Sequence, residues 1–239
     1  ACAPCWPSGG AIRASFRGHL SRRRGMARQM KFAEYLQIQR IMTYREGAMR
    51  DFNTYLQDVD FSVLQQLFQE RGEKCVYRKK EFFIQQHTKS RFLGWIERGT
   101  FQYRFIDSEG AEHIVGYAFE NEFVGDYSSF LKGIESLVGI QALTECIVYR
   151  LARNEMIGYW DTDLNTQKYG RLIAESLYGM AYKRILESYC SPEIRYRELM
   201  RRSPNLKENV SLKSIASYLG VTPETISHIR KKILLEKKS

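Results

Sequence analysis

The spacing of hydrophobic positions changes its period twice along the 239-residue chain. In "DFNTYLQDVDFSVLQQLFQE", Phe61, Leu64, Leu67 and Phe68 fall at i, i+3, i+6 and i+7, which predicts a helix over 51–67. After Gly72 the runs become short and rich in β-branched and aromatic residues: "KCVYRKKEFFIQQ", "GWIERGTFQYRFI", "EHIVGYAFE" and "ECIVYRLAR". Phe101, Tyr103 and Phe105 alternate with Gln102 and Arg104, as Ile147, Tyr149 and Leu151 do with Val148 and Arg150. Strands at intervals of ~10 residues, separated by turns such as Asp107-Ser108-Glu109-Gly110, predict an antiparallel sandwich or barrel.

After Asp161 the period becomes helical. Tyr169, Leu172, Ile173, Leu177, Met180, Ala181 and Ile185 recur at threes and fours, with Lys168, Glu175, Lys183 and Arg184 elsewhere on the cylinder. One long apolar stripe has to be buried, and the β-region before it is too small to cover it all. A second copy of the helix is the economical cover, through Ile173, Leu177, Met180 and Ala181. Ser191-Pro192 ends the helix, because proline disfavours helical geometry in the residue before it, and marks the expected hinge.

The last periodic segment is "SLKSIASYLGVTPETISHIRKK", from Ser211. Ile215, Leu219, Val221, Ile226 and Ile229 form a small core, Ala216 allows two helices to cross closely, and Gly220 suits the left-handed residue that ends the first. Thr222 is placed to cap the second helix and Pro223 takes its first position. Agreement at so many sites predicts a helix-turn-helix. With Ile226 and Ile229 inward, Glu224, Ser227, His228 and Lys231 share the outer face. Glu224 can accept from cytosine N4, and Ser227 and His228 can donate to purine edges. Ser211, Lys213, Thr222, Arg230, Lys231 and Lys232 are the expected phosphate contacts.

Charge placement sharpens this reading. Residues 1–50 hold 10 Lys/Arg and 2 acids, 201–239 hold 9 and 3, and the middle 150 hold 18 and 22. Basic ends on an acidic centre suit a polyanionic partner. Residues 1–48 mix Cys, Pro and Gly with Arg22, Arg23 and Arg24, and read as a disordered arm or as non-native sequence upstream of a true start. Five scattered cysteines suit a reducing cytoplasm, and Cys2-x-x-Cys5 lacks the second pair zinc would need, so no metal is expected. No apolar run approaches the ~20 residues of a membrane span. His19, His87, His113 and His228 are scattered and no phosphate loop or nucleophile elbow occurs. Asp161 and Asp163 read as helix caps, so no enzyme is expected.

The order of these parts, with "GVTPETISHIRKK", "ENEFVGDYSSFL" and "EIRYRELMRRSPNL", resembles the Crp-Fnr superfamily of bacterial transcription regulators over about residues 51–233. The resemblance implies an α+β fold: an antiparallel β-roll like that of cyclic-nucleotide-binding domains over 49–160, a long dimerisation helix over 161–190, and an all-α helix-turn-helix domain over 191–239. It further implies a cytoplasmic homodimer on palindromic double-stranded DNA, with RNA polymerase as partner, no membrane, and an effector or redox event in the β-roll that shifts the dimer helices and reorients the DNA domains. Glu224 matches the family's base-reading glutamate and Ser227 a serine of some branches. His228 stands where arginine is common and is shorter, so the target sequence is expected to differ.

The effector site departs from the family. Gly125-Asp126 matches the pair that contacts the ribose of cyclic AMP, and Gly125, Asp126, Ser128 and Ser129 outline the expected pocket. The arginine that neutralises the cyclic phosphate is replaced by Ser136, followed by Leu137, and the spacing of Lys132 does not require it to substitute. A buried phosphate without a cation is poorly compensated, which argues against cyclic AMP and leaves no expected cofactor. Cys2, Cys5 and Cys146 lack the third N-terminal thiol of the iron–sulfur branch. The chain given ends at Ser239, so phosphate contacts are expected from the helices and from residues before Ser211 rather than from a wing.

Overall fold

A computed structural model describes Asn53, residues 60–203 and residues 206–236. The N-terminal arm, its cysteines and most of the segment 51–59 lie outside the described residues. The opening helix α1 runs Ser62–Arg71, later than its predicted start, with Asp60 Oδ1 accepting from the Ser62 amide. Leu64, Leu67 and Phe68 are its buried face, as the periodicity requires.

Eight strands follow: β1 Glu73–Tyr77, β2 Phe82–Ile84, β3 Phe92–Arg98, β4 Phe101–Ile106, β5 Glu112–Ala118, β6 Phe123–Val124, β7 Gly139–Ala142 and β8 Cys146–Ala152. They form two antiparallel four-stranded sheets, ordered β1-β8-β3-β6 and β2-β7-β4-β5. Ile96, Phe101, Ile140, Cys146 and Val148 fill the space between them. The simple alternation expected for β8 is incomplete. Its second face is also covered, since Leu151 and Tyr149 join the cluster of α1 while Val148 joins the inter-sheet core. In β4 the alternation fails at Gln102, which is buried and donates to Gln141 Oε1, and at Phe105, which is exposed where the strand runs past its pairing with β7.

Helix α2 (Tyr127–Lys132) lies between β6 and β7, and α3 (Arg153–Trp160) leads to the long α4, Leu164–Ser188. Asp163 caps α4 by accepting from the amides of Asn165 and Thr166, as expected of a cap. The stripe predicted for dimerisation is divided. Ile173, Leu177 and Met180 pack against the chain's own cluster around Leu93, Met156 and Trp160, and of the four residues only Ala181 is exposed. The reason is the aromatic wall that α2 and α3 add to the β-roll: the Tyr127 hydroxyl donates to the Gly170 carbonyl at 2.8 Å, drawing α4 onto that wall. A different apolar face, Tyr178, Tyr182, Ile185 and Tyr189, is left exposed.

The C-terminal helices are α5 (Pro192–Arg202), α6 (Leu206–Asn209), α7 (Leu212–Leu219) and α8 (Pro223–Glu236). Ser191 caps α5, with Pro192 at its first position. Ile215, Ala216, Leu219, Ile226 and Ile229 are buried as predicted, and Tyr196, Leu199, Leu206 and Val210 complete the core. Ile114 and Tyr117 of β5 belong to the same cluster, so the predicted hinge joins two regions that share a core. The Ile114 amide donates to Ser217 Oγ at 2.9 Å across that junction.

Candidate nucleic-acid interface and effector cavity

The turn between α7 and α8 is set by Gly220, whose φ of +64° lies in the left-handed region and whose amide closes the end of α7. Thr222 Oγ1 then accepts from the Thr225 amide at 3.2 Å, starting α8. These two devices aim α8 so that Ile226 and Ile229 face the core and Glu224, Ser227, His228 and Lys231 are all exposed on the other side. The four residues therefore lie on one exposed surface.

The chemistry of that face is narrower than the sequence implied. The Glu224 carboxylate is held below the usual carboxylate range by its own backbone amide and by the Thr222 hydroxyl, so it is an acceptor only. Ser227 Oγ donates to the Pro223 carbonyl at 3.0 Å and so presents lone pairs outward rather than its proton. Among the expected phosphate contacts, Lys213, Arg230 and Lys231 are exposed, while the hydroxyls of Ser211 and Thr222 serve as helix caps. Lys232 instead reaches back to α5, where Nζ meets Glu193 Oε2 at 2.7 Å. Arg197 completes that cluster by bonding Glu193 and Glu236, so Lys232 ties α8 to α5.

The predicted effector residues surround the polar end of a cavity of about 570 Å³. Gly125 has φ +151°, and a Cβ there would lie 2.6 Å from Leu93 Cδ2, so the fold itself requires glycine. Asp126 caps α2: Ser129 donates to it from both its amide (3.3 Å) and its hydroxyl (2.7 Å). Ser136 Oγ, fully buried, lies 2.8 Å from the same carboxylate. Ser128 and Lys132 are exposed at the rim. The half-buried Arg153 donates to the carbonyls of Phe130 and Leu131 and so caps the end of α2.

Beyond this polar end the cavity is apolar, walled by Leu64, Phe68, Met156, Ile173, Leu177 and Met180. The Trp160 ring also lines it, and its indole N–H is buried without a hydrogen-bond partner among the described residues. Tyr103, which the strand pattern showed only as an inward β4 residue, bridges the Gly125 amide and carbonyl with its hydroxyl, whose pKa burial pushes up. No group of three or more metal-ligating side chains occurs among the described residues. Nor, among them, is any helix long and apolar enough to cross a membrane.

Residues 74–163 match the family model described as the cyclic nucleotide-binding domain. Among solved structures, FixK2 from Bradyrhizobium japonicum is similar with a TM-score of 0.57 at 17% identity, covering 70% of this chain and 86% of that one. A transcriptional regulator assigned to the Crp/Fnr family from Eubacterium rectale has a TM-score of 0.56 at 15% identity, over 77% and 88%. The chain has the Crp/Fnr fold. The c-di-GMP responsive global regulator CLP of Xanthomonas campestris shares it, with a TM-score of 0.55 at 15% identity over 74% and 93%. No curated protein matches the chain in sequence. The CLP and Eubacterium rectale proteins are described as regulators, and the family match over residues 74–163 spans the β-roll strands β2–β8 that frame much of the cavity.

Proposed function

We propose that this protein is a sequence-specific DNA-binding transcription regulator, acting in the cytoplasm as a homodimer and answering to an effector other than cyclic AMP. The observation that carries the reading is the single exposed face of α8, on which an ionised Glu224, Ser227, His228 and Lys231 project at the spacing of a major-groove reader. RNA polymerase is the partner through which such a protein would act. The effector is an apolar molecule carrying a hydrogen-bond acceptor for the Trp160 indole N–H, because the cavity has apolar walls and the one carboxylate among its lining residues is the half-buried Asp126.

Selection of binding sites from random duplex DNA, at stated salt and without added ligand, tests the first part. A palindrome with half-sites about one helical turn apart is the expected product. Weak, salt-sensitive binding without any selected sequence would refute a ligand-free reader. It would favour the second reading, which the cavity supports: a small-molecule sensor whose DNA binding is secondary.

A further inference from the structure

Strand β5 forms one edge of its sheet, and edge strands present backbone groups outside the ladder. Val115 adds to these, because it is the extra residue of a bulge: Tyr103 pairs with Gly116 and Arg104 with Ile114. Arg184 of α4 donates to the Val115 carbonyl through Nη1, and through Nη2 to the Tyr218 carbonyl of α7 at 3.1 Å. Its guanidinium lies 4.2 Å from the centre of the Tyr218 ring. One half-buried side chain thus bonds the β-roll and the helix-turn-helix at once. Beside it the Ile114 amide donates to Ser217 Oγ, and the Tyr117 and Tyr218 rings are 5.8 Å apart.

The last turn of an α-helix leaves its final four carbonyls without helical donors. In α7 the Gly220 and Val221 amides bond Ala216 and Ser217, Arg195 donates to Leu219 at 2.6 Å, and Arg184 donates to Tyr218. Val115 likewise has no partner across the β4 ladder. Separating α7 from β5 therefore breaks the two bonds by which Arg184 joins them, and the cation makes each stronger than a neutral pair. Arg184 also stands beside the effector cavity. Leu177, Met180 and Arg184 follow at i, i+3 and i+7 on one face of α4, and the first two wall the cavity. Val115 and Gly116 wall it from β5, and Gly116 pairs with Tyr103, whose hydroxyl holds the Gly125 turn. A molecule in the cavity rests both on the helix face that carries Arg184 and on the bulge that Arg184 bonds.

We propose that Arg184 is the latch that seats α7 on the bulge of β5, and that the occupant of the effector cavity sets this latch through α4 and the bulge. The second half rests on the reading of the cavity as an effector site. With the cavity filled, Leu177, Met180 and Val115 are supported from the cavity side, Arg184 keeps both bonds, and the helix-turn-helix stays seated. With the cavity empty the wall yields more easily, and α7 leaves β5 by losing both bonds together, carrying the reading face of α8 with it. Arg184 lines no part of the cavity and is a positioning residue. Its effect is on the local opening of α7 rather than on affinity for the effector.

Hydrogen exchange of the full chain, followed by mass spectrometry, tests both halves, with 8-anilinonaphthalene-1-sulfonate as the apolar probe. Without the dye, Arg184→Gln should exchange about 10- to 100-fold faster than the parent in α7, by loss of charge-assisted bonds, while β3 and β8 keep the parent's rates. Arg184→Lys, whose ammonium has no planar fork to span two carbonyls, should not restore the parent's rates. Arg171→Gln, which removes an exposed cation from the same helix, should match the parent. In the parent, dye that protects α3 and the cavity face of α4 should also slow exchange in α7 several-fold. In Arg184→Gln the dye should bind with the same affinity and protect the cavity wall, but leave α7 unaffected. Parent rates in the α7 of Arg184→Gln, or equal acceleration in β3 and β8, would overturn the latch. A dye effect on α7 that persists in Arg184→Gln would overturn the coupling. Dye that leaves α3 and the cavity face of α4 unprotected would sink the effector-site reading and the coupling with it, while the latch stands or falls on the dye-free comparison.

Discussion

Ser136 Oγ lies 2.8 Å from Asp126 Oδ2 and 2.8 Å from the Val138 carbonyl oxygen, with no solvent exposure. One hydroxyl proton thus serves two acceptors at the position where the resemblance to the Crp-Fnr superfamily implies a phosphate-binding arginine. A cyclic phosphate placed here would meet a carboxylate, and like charges ~4 Å apart at an effective dielectric of 20 repel by about 4 kcal/mol. Calorimetric titration with cyclic AMP should therefore give no saturable heat. Micromolar affinity would refute this account of the turn.

The same carboxylate has a structural role that can be measured separately. Asp126→Ala removes the cap of α2 and leaves Ser129 and Ser136 without their shared acceptor, so urea denaturation should show a loss of about 1–2 kcal/mol. Ser128→Ala, two residues away but exposed, should stay within about 0.5 kcal/mol. Equal effects of the two substitutions would mean that the cap contributes nothing.

The helix-turn-helix was legible because its constraints are local: Gly220, Thr222 and Pro223 set their own conformations, and the apolar spacing states which face is inward. The strands were legible as strands, but their faces were not, since α1 covers the outside of β8 and a period of two reports only one-sided burial. The effector turn was found by Gly125-Asp126. Trp160 and Tyr103, which complete the cavity, carry no mark in sequence because their roles depend on which elements pack beside them. For the same reason the stripe on α4 showed that something covers it, without showing that α2 and α3 do so. Arg184 read as ordinary surface charge, because a bulge carbonyl cannot be read from residue types.

On the reading face, Glu224→Ala should relax preference at one base pair by about 1–3 kcal/mol and leave the others unchanged. Lys231→Ala should weaken binding to all sequences alike and lower the salt slope by about one. Competition binding at several salt concentrations distinguishes the two patterns. An unchanged site preference in Glu224→Ala would remove that residue from base reading.

Acid should loosen the tie between α5 and α8. The Glu193 carboxyl is held below its usual range, by Lys232 first and Arg197 next. A depressed carboxylate pKa contributes stability that is present above the unfolded value of about 4.3 and lost as pH falls through the lower folded value. Glu193→Gln should therefore be less stable than the parent at neutral pH, with the difference vanishing on acidification below that range. Chemical denaturation of both proteins along a pH series gives the answer, and a gap that widened in acid would assign the stabilisation to another group.

The outer face of α4 is the expected seam of the proposed homodimer. Tyr178, Tyr182, Ile185 and Tyr189 follow one another at i, i+4, i+7 and i+11, and are 72%, 48%, 56% and 85% exposed. The Tyr178 and Tyr182 rings stack 6.3 Å apart at 6°. That spacing is the repeat of a two-helix seam, and it lies apart from Ile173, Leu177 and Met180, which contact the chain's own core. The two faces should therefore respond differently. Ile185→Asp should convert a dimer to monomer in sedimentation equilibrium while leaving the monomer's unfolding midpoint little changed, since an exposed residue has few intramolecular contacts to lose. Leu177→Ala should cost about 2 kcal/mol or more of fold stability through lost packing, whatever the oligomeric state. If Ile185→Asp remained dimeric, the exposed face would not be the seam, and the partner would have to seat elsewhere on the chain.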